Sequence, residues 1–280
     1  MEDISGIGLL LVLGVTGAIF LYRFLNIAVE PLYIMVTGKP IYVHFYPVRK
    51  RLNDTQLSIL RRDFQFYRRL SPRRQRYFEH RVASFISDYP FHGQGGQVID
   101  DSVRVLIAST YVMLTFGMRH YRTRAFERII VYPGPYRSTI SEVDHKGEFN
   151  PQLGAIVFSW EHFQQGMAEG SDNLNLGIHE FTHALHYHGL NSRDASASIF
   201  ADRYHRIMKE VLHPPNAKRL VDSEYFRIYA YTNQFEFLAV ILEHFFESPG
   251  RFRREFPELY ENVRRMINFD PELHPDEIYN

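Results

Sequence analysis

Hydrophobic and polar positions divide the chain into two unequal parts. From Ile4 to Tyr22 run 19 residues without a charge, mostly Leu, Ile, Val and Gly. As a helix this run rises roughly 28 Å, close to the hydrocarbon thickness of a bilayer. Tyr22 stands at its far end, where an interfacial aromatic is favourable. No basic segment precedes the run and no small-residue cleavage signature follows it, which favours a transmembrane helix over a cleaved signal peptide or a buried N-terminal helix. Glu2 and Asp3 flank one side, and Arg23, Lys39, Arg49, Lys50 and Arg51 the other. The positive-inside tendency therefore directs the large C-terminal part to the cytoplasm.

The rest of the chain has a different pattern. Asn26 to Val48 mixes aromatics, Pro and Gly without a clean helical period and reads as a connector. From Asp54, Leu57, Leu60, Phe64, Phe66 and Tyr67 alternate with charges as in an amphipathic helix. Ser71-Pro72 marks the start of a second helix, with Ser as N-cap and Tyr77, Val82, Phe85 and Ile86 as its apolar stripe. Asp100–Thr115 is a third helix. Arg128–Tyr132 and Ala155–Trp160 read as strands, the first closed by Pro133-Gly134-Pro135 and the two separated by a polar loop containing Gly147 and Pro151. A polar stretch, 161–173, leads into a helix over Leu174–His188, with Gly189 expected as its C-cap. Further helices are expected over Ala197–Leu212, Phe235–Phe246 and Pro257–Ile267. The fold class is α+β, mainly helical with a small sheet.

Composition narrows the chemistry. Lys+Arg and Asp+Glu are both 32, so no basic excess points to nucleic acid and none is expected as a partner. There is no cysteine, which excludes disulfides, thiolate-bound zinc and a cysteine nucleophile.

Within the Leu174–His188 helix stands His-Glu-Phe-Thr-His, His179–His183. Residues four apart share a helical face, so both imidazoles can offer a nitrogen to one Zn²⁺ ion. Glu180 is the natural general base for a water activated there. Such a site needs a third protein ligand. The helix opening near Phe235 offers Glu236 and Glu243, seven residues apart on one face and in apolar surroundings where a carboxylate must be paired or metal-bound. Spacing alone leaves both open. His186 follows the motif and can extend the ligand set, whereas His44, His80, His92, His120, His205 and His244 read as surface or packing residues. Trp160 reads as core or cleft wall, and its strand can offer a free edge to an extended peptide.

The chain resembles the Mlc titration factor A family of zinc-dependent peptidases, also described as glucose-regulated metallopeptidases. The resemblance rests on DDSVRVLIAS (Asp100–Ser109), RIIVYPGPY (Arg128–Tyr136), GAIVFSW (Gly154–Trp160), NLGIHEFTHALH (Asn175–His186) and YAYTNQFEFLAVILEHFFESP (Tyr229–Pro249). It implies a zincin-like domain, similar to the catalytic domain of anthrax lethal factor. By position it makes His179, His183 and Glu236 the zinc ligands and Glu180 the base, with Glu243 a supporting carboxylate. Tyr229, seven residues before Glu236, matches a tyrosine placed over the site, and Tyr231 is its close competitor. Members often carry Ala where this chain has Thr182, and Leu-Asp where it has Leu185-His186. The resulting division is a transmembrane anchor at 1–26, a connector at 27–50, a zinc metallopeptidase domain at 51–273 and a tail at 274–280. The expected activity is zinc-dependent hydrolysis of peptides or proteins at a membrane. The alternative is a regulatory binding protein that sequesters a transcription factor or membrane partner. Loops between Tyr136 and Pro151 and between Gly189 and Tyr229 are expected to shape substrate selectivity.

Overall fold

In a computed structural model, residues 2–137 and 144–272 are described, the side chains of 2–7 and of Asp144 excepted. The expected tail, 274–280, lies outside the described residues.

The chain opens with one long helix. α1 (Glu2–Phe24) continues through a π-helical turn, Leu25–Val29, into α2 (Glu30–Thr37). The helix is thus longer than the Ile4–Tyr22 run, and half of the expected connector is helical. Its period was hidden because the helix is not amphipathic in the usual sense: Leu32, Met35 and Val36 are exposed while Glu30 is buried. Gly8 to Thr37 is long and apolar enough to cross a membrane, and the rest of the chain buries none of its most apolar window.

An extended segment then leads to α3 (Asp54–Asp63), α4 (Gln65–Arg68) and α5 (Pro72–Asp88). Asn53 and Gln56 form a capping box at α3, whereas Ser71 flanks α5 without a capping side-chain bond. β1 (Phe91–Gly93) precedes α6 (Asp101–Leu114), whose N-cap is Asp100. β2 (Arg128–Tyr132), β3 (Tyr136–Arg137), β4 (Asp144–His145), β5 (Gly147–Asn150) and β6 (Ala155–Ser159) follow. The rest is helical: α7 (Trp160–Ala168), α8 (Leu176–Asn191), α9 (Ala195–Val211), α10 (Pro214–Asp222), a 3₁₀ turn at Ile228–Tyr231, α11 (Gln234–Glu247), α12 (Pro249–Glu255) and α13 (Pro257–Met266). The fold is mostly helical with a small mixed sheet.

That sheet has the order β1-β2-β6-β5, with β1, β2 and β6 parallel and β5 antiparallel to β6. Several expectations change here. The strand that ends before Trp160 has neighbours on both sides, so it offers no free edge; β5, expected as polar loop, is the edge strand beside it. The polar stretch from 161 is α7, which opens on Trp160 stacked against Phe163 at 5.6 Å. The stretch from Gly189 to Tyr229 holds α9, close to the helix expected over Ala197–Leu212, and also α10, which replaces part of the expected loop. Gly189 lies within α8 rather than capping it, because α9 crosses so closely that a Cβ there would stand 2.2 Å from Phe200 Cδ1.

The core lies between the sheet and helices α5, α6, α8 and α11, and α6 is buried from Val105 to Leu114. Phe181 belongs to an aromatic cluster with Tyr111, Phe126 and Phe158, at centroid separations of 5.2, 6.0 and 5.3 Å. Burying this face of α8 turns the opposite face, with His179 and His183, to the cleft.

A buried arginine fastens the extended segment to the domain. Arg81, fully buried on α5, donates to the carbonyls of Val43, Thr115, Phe116 and Met118 and to Tyr46 Oη, with Tyr121 stacked 4.2 Å away. Arg81→Leu leaves several buried acceptors unpaired, so the loss should reach about 3 kcal/mol, since each orphaned group costs roughly 1–3. Thermal unfolding of the full chain in detergent, followed by circular dichroism, should show a clear drop in midpoint; an unchanged midpoint contradicts this account.

Candidate metal centre

α8 starts at Asn175, whose side chain accepts from Ile178 N–H and donates to the Gly166 carbonyl and to Glu247. This fixes the phase of a helix whose cleft face carries His179 and His183, their rings 4.8 Å apart and nearly perpendicular. α11, capped by Asn233 on Phe235 and Glu236 N–H, supplies Glu236. Its Oε2 stands 2.9 Å from His179 Nε2, and its Oε1 3.6 Å from His183 Nε2. One ligand atom from each of the three residues lies within 4.8 Å of the others. Glu236 Oε2 is buried and makes no hydrogen bond of usable geometry with His179 or any other described residue. Two imidazoles and a carboxylate oxygen in want of a partner fit a metal ion.

Glu243, the other carboxylate left open by spacing, lies behind His179. Its Oε1 is 2.7 Å from His179 Nδ1, and Arg227 grips both oxygens at 2.5 and 2.8 Å. Arg227 also donates to the Asn173 carbonyl just before α8. With Nδ1 held by Glu243, His179 presents Nε2 to the cleft.

Glu180 is nearly buried, and Phe149 N–H of β5 donates to its Oε2 at 2.9 Å. Burial pushes its carboxyl up to about 7, against the pull of neighbouring His179. The approach of β5 to α8 requires Gly147: a Cβ there would meet Leu176 Cδ1 at 2.7 Å and Glu180 Cγ at 2.9 Å.

The two tyrosines separate clearly. Tyr229 is half exposed, with its ring 6.0 Å from His179 and Glu236 close to its hydroxyl. Burial, with the charge of Glu236, pushes its phenol up to about 12, so it keeps its proton at neutral pH. Tyr231 instead gives its hydroxyl to the Leu220 carbonyl. His186 does not join the cluster; it is buried against Tyr204 and Phe235, and burial lowers it to about 4.

Two neighbours were not singled out in the sequence. Arg227 gave no local signal, because its partner Glu243 is 16 residues away. Tyr136 closes RIIVYPGPY, stacks on Tyr132 at 4.6 Å, and has a buried hydroxyl with no hydrogen-bond partner among the described residues. Burial and the charges of Glu148 and Glu180 hold its phenol well above the usual tyrosine range.

Residues 47–267 match the family of glucose-regulated metallo-peptidases M90, and the chain belongs to that family. An uncharacterized protein of Synechocystis sp. is 26% identical over 238 residues, covering 76% of this chain and 83% of that protein. Membership makes this a peptidase domain of a type that works with a metal ion.

The electrostatics give a test of metal binding. Burial alone would depress the His179 imidazole, but its contacts with Glu236 and Glu243, together with nearby negative charge, push it up to about 10. Burial and the His179 charge lower His183 to about 4. A metal ion taking Nε2 of His179 must therefore displace a proton. Apparent affinity should rise about tenfold per pH unit below the His179 pKa, with about one proton released from His179 per ion bound. Calorimetry in buffers of different ionisation enthalpy reads both, and pH-independent binding contradicts this arrangement.

Proposed function

We propose that the chain is a membrane-anchored zinc peptidase that hydrolyses peptide bonds in peptides or proteins, its catalytic domain facing the cytoplasm. The reading rests on one juxtaposition: His179, His183 and Glu236 offer ligand atoms within 4.8 Å of one another, and Glu180 lies on the turn between the two histidines. Residues 1–26 form the anchor and 51–273 the peptidase domain. The Mlc titration factor A branch and a zincin-like relation to lethal factor belong to the same reading.

Held by His179, His183 and Glu236, Zn²⁺ would polarise the scissile carbonyl and make a water more acidic. Glu180 takes the proton of the attacking water on a carboxylate oxygen and passes it to the leaving amine. A base poised near neutrality is suited to both transfers. Phe149 N–H keeps its Oε2 in place, leaving Oε1 for that work. Tyr229, protonated at neutral pH, donates from its hydroxyl to the oxyanion that develops on the carbonyl. β5 is the edge strand next to the base, so an extended substrate lies along it while Phe149 N–H stays with Glu180.

Glu180→Gln should retain stoichiometric zinc and lose hydrolysis by at least about 10²-fold, the usual worth of a general base. Zinc content by elemental analysis and cleavage of a peptide library by the full chain measure the two effects. Equal cleavage by the variant would sink the assigned mechanism, and a variant that cleaves nothing yet preserves the biological effect would favour the sequestering alternative. In the same assay Tyr229→Phe should lower kcat about 10²-fold with little change in KM. Tyr231→Phe should leave kcat near the parent value, and the reverse order would exchange their roles.

A further inference from the structure

The helix that carries the anchor is too long for its task. From Glu2 to Thr37 it rises about 54 Å, against roughly 30 Å of bilayer hydrocarbon. The apolar stretch Gly8–Thr37 exceeds the hydrocarbon thickness and fits by tilting, which lays the segment from Leu25 onward along the headgroup region. A helix in water turns charges outward and apolar groups inward. Here the order is reversed. Val36 is 81% exposed, and Ile27, Leu32 and Met35 are exposed as well. The one charge between Phe24 and Gly38, Glu30, is buried in an ion pair with Arg119 of the peptidase domain.

Arg119 fixes this orientation. It also bonds the Asn26 side chain and lies 4.0 Å from the Tyr42 ring. Tyr42 meets Phe45 edge-on at 6.1 Å, so the apolar surface continues into the extended segment, where Phe45 is 69% and Val48 85% exposed. Phe45 and Val48 border a groove of about 560 Å³ that Lys50, Arg119, His120 and Arg122 also line. Lys50 and Arg122 share a single carboxylate, Asp88, at 3.1 Å each. Over residues 23–51 stand five basic side chains and one acidic one, the sealed Glu30.

We propose that the face formed by Ile27, Leu32, Met35, Val36, Phe45 and Val48 is a membrane-surface contact that seats the peptidase domain on anionic lipid. The inference rests on the anchor reading and goes beyond it. The apolar side chains enter the region between headgroups and acyl chains, the basic rim meets the phosphates, and Tyr33 and Tyr42 lie at the boundary that aromatic rings favour. The occupant is lipid because the face continues an apolar helix that itself ends at a basic flank. The domain is thus held down at two places, by the helix and by its own surface.

The absence of cysteine makes the test direct. Leu13→Cys, Val36→Cys, Phe45→Cys, Val48→Cys and, as a water-exposed control, Val98→Cys are each spin-labelled in the full chain. Each is placed in vesicles of phosphatidylcholine with phosphatidylglycerol, or of phosphatidylcholine alone. Labels at 36, 45 and 48 should be several-fold less accessible to an aqueous nickel chelate than the label at 98, and that at 13 should favour oxygen. Shielding at 45 and 48 should weaken without phosphatidylglycerol. Labels at 45 and 48 as accessible as that at 98, with the label at 13 in lipid, would overturn this inference and leave the anchor standing. A label at 13 in water would overturn the anchor itself. Shielding at 45 with spin–spin broadening would assign the face to a second copy, and equal shielding in both vesicles would remove the anionic headgroups from the account; either outcome overturns the proposal as stated.

Discussion

A carboxylate with no access to water sets the geometry of the cleft. Glu243 is fully buried on α11, where an unpaired negative charge is costly enough to forbid the arrangement. It is satisfied by three contacts at once: both guanidinium nitrogens of Arg227 and Nδ1 of His179. Removing any partner strands the others, so α8, α11 and the segment before the 3₁₀ turn are locked in one relative position. From that lock the rest follows. His179 must present Nε2 outward, α11 must bring Glu236 alongside it, and the same turn of chain that carries Arg227 places Tyr229 over the pair.

The proposed base is held by a different device. Glu180 belongs to the same helix as the histidines but is covered by β5, whose Phe149 N–H takes one of its oxygens. The strand can come so close only because Gly147 has no side chain to collide with Leu176 and Glu180. One short strand therefore raises the carboxyl toward neutrality by burial, orients it by a hydrogen bond, and ends the sheet at the cleft. The proposed substrate edge and base are coupled through a single backbone segment. A strand shifted by one residue would lose both.

Much of this was legible in the sequence, and the limits have physical causes. The pair at i and i+4 with its intervening Glu is local, so helical periodicity alone placed His179, Glu180 and His183 together. The choice between Glu236 and Glu243 was not local. Both lie on one face of α11, and what separates them is their partners across space: two histidines for the first, Arg227 and His179 Nδ1 for the second. Arg227 gave no sign because its partner is far along the chain. β5 reads as loop because Gly-Glu-Phe-Asn lacks the β-branched, alternating pattern of a strand; its pairing with β6 overrides that weak propensity. The helix from Leu25 to Thr37 went unread because its exposed face is apolar and its charge is turned inward, the reverse of the pattern by which soluble helices are found.

That reversal connects the two halves of the chain. α2 packs on α9, and α9 follows α8 after a short turn in which Asp194 caps α9, binds His188 of α8 and faces His120. His120 in turn follows Arg119, the partner of Glu30. A nearly unbroken series of polar contacts therefore runs from the N-terminal helix to the helix that carries the histidines. Arg81 adds a second fastening by binding the Val43 carbonyl and the Tyr46 hydroxyl from inside the domain. A tether built only to keep an enzyme near a membrane needs neither arginine, since a flexible linker serves that purpose with no ordering of side chains. Two buried arginines holding the connector instead fix the N-terminal helix relative to the histidine pair, so that under the proposed anchoring the site would stand at a set height above the lipid.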